Sequence, residues 1–126
     1  MPEMYRDVEL FIKKCNRNHF GFGDIQITEQ VQFTEYPVGG FYDWHMDNEV
    51  HMIHEPPVRK ISMTVLLSPE NQFEGGDLEI MAKGTRAPLK QGHAIMFASF
   101  LNHRVAPVTR GIRQSLVMWF GGEPFK

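Results

Sequence analysis

From residue 60 to residue 68 the side chains alternate. Ile61, Met63, Val65 and Leu67 point one way, and Ser62, Thr64 and Leu66 the other. Period-two alternation belongs to an extended strand with two unlike faces, and no helix presents it. Further strands are expected at 78–82, 94–98, 105–108 and 112–120, and Ile25, Ile27, Val31 and Phe33 suggest strand pairing upstream. Turn signals separate them: Glu74-Gly75-Gly76-Asp77, Lys90-Gln91-Gly92 and Arg110-Gly111. Pro69, Pro88, Pro107 and Pro124 stand at strand ends or beyond, where a missing N–H does least harm. Many short strands closed by glycine turns predict an antiparallel all-β barrel or jelly roll.

One segment follows another period. Residues 3–15 place Met4, Val8, Phe11, Ile12 and Cys15 on one side of a helix, with Glu3, Arg6, Asp7, Glu9 and Lys13 opposite. An amphipathic helix over the sheet is expected, with Asn16 and Asn18 as terminators. At 126 residues the prior is a single domain over 1–126, with 1–18 as helical support and 25–121 as the core. A hydrophobic content of 42% suffices for that core. The lone cysteine, Cys15, excludes an intrachain disulfide and a cysteine-based zinc site. A reducing, cytoplasmic setting is therefore expected. The charged residues 1–11 carry no leader-like or membrane-spanning run, so no membrane partner is expected. A net charge of −2, from 13 basic and 15 acidic residues, gives no reason to expect nucleic acid.

Two features carry chemistry. His45 and Asp47 are two residues apart, so on an extended chain both face one side and reach one cation. His103, just before the 105–108 strand, is the candidate third ligand. Two imidazoles and a carboxylate suit non-haem Fe(II) with open positions for a chelating co-substrate and O₂. They also suit zinc with one bound water, and ligand identity alone does not separate the two. The second feature is Arg113, which shares a face with Ser115, Val117 and Trp119. If that face lines the barrel, a buried guanidinium needs an anion, and a dicarboxylate would satisfy it through paired hydrogen bonds. The alternative is a solvated or salt-bridged edge arginine. Trp119 reads as core packing. Trp44, beside a ligand, reads equally as substrate contact or packing. The polar stretch 48–58, with His51 and His54, reads as a loop beside the site whose histidines are solvated.

The spacing of Tyr36, Gly39, Tyr42, His45 and Asp47 resembles the prolyl 4-hydroxylase-like branch of the 2-oxoglutarate/Fe(II) dioxygenases, in particular the bacterial PKHD-type hydroxylases. The runs at 59–68 and 74–78, then 92–97, 103–108 and 111–120, continue the likeness from about Phe33 to Gly121. The resemblance implies a double-stranded β-helix, which is a jelly roll, with His45, Asp47 and His103 as the iron ligands. It implies Arg113 on the distal carboxylate of 2-oxoglutarate, Tyr36 close by, a hydroxyl from Ser115 or Ser62, and Tyr42 at the substrate entrance. The implied reaction consumes 2-oxoglutarate and O₂ to hydroxylate a C–H bond, most plausibly of a peptidyl proline, with ascorbate as an accessory reductant. The same chemistry on a free amino acid or small molecule is the alternative. A zinc hydrolase and a non-catalytic metal-binding jelly-roll module stand outside it. Leu66 falls where several prolyl hydroxylases carry a co-substrate tyrosine. The helical support is reduced to about one helix, so either the domain is minimal or a partner, such as a second copy in a homodimer, covers the short N-terminal side.

Overall fold

The computed structural model describes residues 3–23, 25–27, 29–47, 58–87 and 89–122. Helix α1 (Glu3–Cys15) runs on through a wider π-type turn at Asn16–Phe20. It stops at Gly21, whose φ of 70° side-chain-bearing residues rarely adopt, and whose N–H closes on the Asn16 carbonyl at 2.6 Å. Asn16 does its work one turn later than the sequence suggests. It is buried, accepts the Phe22 N–H at 2.9 Å and donates to the carbonyls of Phe22 and Gly23. Expectation and structure part at Phe11, which is 54% exposed beside a still more exposed Leu10. Among its described side chains the buried stripe runs through Ile12 and Asn16 with Val8 half-buried, and Phe11 lies one residue's rotation off it.

The remaining elements are strands: β1 (Gln26–Ile27), β2 (Gln32–Tyr36), β3 (Tyr42–His45), β4 (Val58–Leu66), β5 (Phe73–Gly75), β6 (Leu78–Ile80), β7 (Ala94–Ala98), β8 (His103–Val105), β9 (Val108–Gly111) and β10 (Arg113–Gly122). The ten-residue β10 is the axis of the large sheet. One edge pairs antiparallel with β4, which pairs on with β7. The other edge takes both β1 and β2, which pair with β10 and not with each other. A second sheet runs β3-β8-β6, and β5 pairs with β9. The jelly roll read from alternation is thus the observed architecture. The strand expected at 105–108 is split, with Pro107 between β8 and β9. The strand expected at 78–82 ends at Ile80, because Met81 turns the chain with a φ of 74°.

The two faces of the large sheet explain the alternation. Ile61 and Met63 from β4 and Met118 and Phe120 from β10 pack with Ile12 and Ile25 in one cluster under α1. Full burial of side chains such as Ile61 and Phe120 contributes about 1.5–3 kcal/mol each. The Glu9 carboxylate accepts the Ile27 N–H at 3.1 Å and ties helix to sheet. The other face carries Ser62 and Thr64, Arg113, Ser115, Val117 and Trp119, and looks into a cavity closed on the far side by β3, β6 and β8. Of the stretch 48–58 only Val58, which opens β4, is among the described residues. No helix among the described residues is long and apolar enough to cross a membrane.

Candidate metal centre

His45 is the last residue of β3 and His103 the first of β8, and the two are direct partners in the ladder. Strand pairing thus brings together two imidazoles 58 positions apart, with ring centroids 4.2 Å apart. Asp47 gets there differently from the sequence argument. β3 ends at His45, so no continuous strand carries both side chains. Instead the Asp47 N–H donates to the Ser99 carbonyl at 2.9 Å, just past β7, and this bond turns the carboxylate inward.

Each imidazole is oriented from behind. Nδ1 of His45 lies 2.7 Å from the Asp43 carbonyl, and Nδ1 of His103 lies 2.9 Å from the Leu101 carbonyl. A carbonyl only accepts, so both Nδ1 atoms carry the proton and both Nε2 atoms turn inward. There they meet Asp47 Oδ1 at 3.3 and 3.2 Å. Two nitrogen lone pairs and a carboxylate oxygen at that spacing repel unless a positive charge sits among them. A proton on each ring would set two cations side by side, whereas one metal ion satisfies all three atoms at once. The donor set therefore fits a divalent ion of the Fe(II) or zinc type, and among the described residues it is the one such cluster.

The second carboxylate oxygen is held as well. Asp47 Oδ2 accepts a short hydrogen bond from Ser62 Oγ and a 3.0 Å bond from the Trp119 indole N–H. Ser62 in turn meets Ser99 Oγ at 2.9 Å. Burial alone would raise the Asp47 pKa. The two imidazoles beside it and the hydrogen bond from Ser62 outweigh it and hold the carboxyl far below its ordinary range. For His45, burial works downward, but the adjacent Asp47 carboxylate, the Asp43 carbonyl and the charges of both residues leave the pKa raised.

Arg113 sits across the same cavity at 2% exposure. The solvated-edge alternative is excluded. Its Nη1 donates to Ser115 Oγ at 3.3 Å. Burial lowers its pKa against the opposing influence of Tyr36 and Asp77. Tyr36 is its cross-strand partner on β2, and Thr34, two pairs along on the same face, shares a 2.5 Å hydrogen bond with Ser115. Burial raises the Tyr36 pKa, although Arg113 pulls it down. Leu66 pairs with Ser115 and is buried. Gly76 makes room for the arginine stem, because a Cβ there would stand 2.8 Å from Arg113 Cδ at a φ of 64°. Gly76→Ala should therefore displace the guanidinium and weaken the binding of a small dicarboxylate beside it several-fold, with metal affinity unchanged. Equal dicarboxylate titrations of the two proteins would sink that expectation.

The other expected residues fall as follows. Ser62 lies under Asp47, with its hydroxyl engaged there. Tyr42 is half exposed, and its ring lies 3.9 Å from that of His45 at the cavity wall. Trp44 is half-buried, with the Arg104 guanidinium 5.3 Å over its ring, and Arg104 is held by the buried Glu79 at 2.7 Å. Trp119, read as core, donates its indole N–H to Asp47 of the candidate metal cluster. Its place on the Arg113 face was the available signal. Ser99 and Arg59 carried none.

The 2OG-Fe(II) oxygenase superfamily model matches residues 31–121, and the chain belongs to that superfamily. It is similar to a PKHD-type hydroxylase of Idiomarina loihiensis, 39% identical over 92 residues, covering 71% of this chain and 41% of that protein. In fold it is similar to a Pseudomonas putida prolyl-4-hydroxylase, with a TM-score of 0.70, 23% identity and coverage of 96% of this chain and 64% of that one. A viral collagen prolyl hydroxylase from Paramecium Bursaria Chlorella virus-1 has a TM-score of 0.73 at 21% identity, covering 95% of this chain and 70% of that one. The chain thus spans about two-fifths of the length of the PKHD-type relative.

Proposed function

We propose that this protein is an Fe(II)- and 2-oxoglutarate-dependent hydroxylase acting on a peptidyl residue, prolyl in the first instance. The observation that carries the reading is the pairing of an inward-facing His45–Asp47–His103 cluster, across one cavity, with a buried Arg113 that has no carboxylate ion-pair partner among the described residues. In this reading His45, Asp47 and His103 hold the iron. Arg113 takes the distal carboxylate of 2-oxoglutarate, with Tyr36 and Ser115 beside it, and the apolar wall of Leu78, Phe97 and Val117 excludes water from the space between. When bound, the metal, 2-oxoglutarate and O₂ supply the oxidising chemistry, with 2-oxoglutarate leaving as succinate and CO₂. Tyr42, at the cavity wall, stands on the substrate side, whereas Trp44 packs against Arg104 outside the described cavity lining. Similarity to PKHD-type hydroxylases and to prolyl-hydroxylase folds supports the substrate class. The unit is proposed to comprise 25–121 as its core and to work in a reducing cytoplasm, in keeping with unpaired Cys15.

The test is incubation with Fe(II), 2-oxoglutarate, O₂ and proline-containing peptides, read by mass spectrometry. Gain of one oxygen on proline, with matching succinate, is the expected result. Oxygen gain only on free amino acids would move the substrate class. No 2-oxoglutarate consumption with any substrate would remove the activity.

A further inference from the structure

We propose that Arg59 is a positioning residue that, through Trp119, holds Asp47 to a single metal-facing oxygen. The proposal rests on the reading of the triad as a metal centre. Strict alternation along β4 would send Arg59 to the same side as Ile61, under α1. The ladder forbids this. Phe120 pairs with Ile61, but Gly121 pairs with Arg59, so β4 holds one extra residue at Lys60. Such a bulge re-aims the side chains on its far side from the regular ladder, and here it turns Arg59, which precedes Lys60, toward the face that carries Ser62 and Trp119.

Once there, Arg59 is held on two sides. Glu29 takes it in a two-point ion pair, Nε to Oε2 at 2.6 Å and Nη2 to Oε1 at 2.5 Å. Its guanidinium carbon lies 3.9 Å over the Trp119 ring, and Nη1 reaches the Asp47 backbone carbonyl at 3.4 Å. A planar, paired guanidinium stacked on an indole limits how that ring can tilt. The ring's N–H is one of two donors on Asp47 Oδ2, Ser62 being the other. With Oδ2 occupied twice, Oδ1 alone is left for the cation, which is the atom both histidines face. A carboxylate free to turn would present both oxygens and take up a position that co-substrate or O₂ needs.

The test is anaerobic Co(II) titration of the whole protein, read by visible d–d absorption, with the melting temperature of the metal-free protein measured alongside. Trp119→Phe keeps a ring for Arg59 and removes the N–H. It should weaken Co(II) affinity about 10- to 100-fold and alter the absorption band, with little change in melting. Arg59→Lys keeps the charge but loses the planar stack and the two-point pair, and should weaken Co(II) several-fold with the same altered band. If Trp119→Phe does not fold, Arg59→Lys decides the matter by the same readout. Wild-type affinity and band shape in a folded variant, where His45→Ala abolishes binding, would overturn the clamp and leave the metal centre standing. Equal Co(II) binding by wild type and His45→Ala would remove the metal centre and the clamp with it.

Discussion

Asp47→Ala should leave the protein unable to hold its metal at working concentrations and without detectable turnover. The carboxylate contacts both Nε2 atoms through one oxygen and carries the one negative charge of the cluster. Two neutral imidazoles that remain are a weaker site for a divalent ion. The loss should exceed the 10- to 100-fold typical of removing a supporting hydrogen bond. Truncation also strands the Ser62 hydroxyl and the Trp119 N–H in a buried setting, at about 1–3 kcal/mol for each donor left unpaired. Ser62 retains Ser99, so the larger share falls on Trp119. Asp47→Asn keeps the shape and one acceptor, and should recover stability without recovering metal affinity. Metal titration and calorimetric melting on both variants separate the two effects. Turnover near wild type in Asp47→Ala would mean that the chemistry lies elsewhere.

Arg113→Ala should raise the KM for 2-oxoglutarate about 10- to 150-fold, the equivalent of about 1.5–3 kcal/mol for hydrogen bonds to a charged group. Metal affinity should not move, because Arg113 touches none of the three ligands in the described hydrogen bonds and ion pairs. At saturating co-substrate the rate should largely return, since the proposed role of Arg113 is to anchor the carboxylate remote from the metal. Arg113→Lys should recover little, because a single ammonium cannot reproduce the planar two-point grip. The variant leaves space at a site that is 2% exposed, so its melting temperature is read alongside the kinetics. An unchanged KM would take Arg113 out of the co-substrate pocket and leave its burial beside Ser115 unexplained.

Ser62 and Trp119 show how far local reading went. Period two places both on the correct faces, and both lie where those faces meet the cavity. Their partner was not readable, since Asp47 reaches them only after the chain has left β3 and crossed to Ser99. Phe11 marks the opposite failure. Helical periodicity identifies an apolar arc but not how much of it the sheet covers, and among the described side chains the cover is one stripe wide. Arg59 was out of reach altogether. A bulge inserts a residue without changing composition, and it reverses the face of everything before it.

What the amino-acid order decides unaided is what short stretches of backbone can express. These are the alternation of β4 and β10, the helical period of α1, the glycine turns, and the kinds of atom offered by His45, Asp47, His103 and Arg113. Tertiary structure alone decided that β3 and β8 run side by side, that Asp47 turns at Ser99, and that Arg59 stands over Trp119. Periodicity follows from the geometry of each residue's own peptide units. Strand partners, by contrast, are selected by the joint burial of faces far apart along the chain, which no single segment encodes.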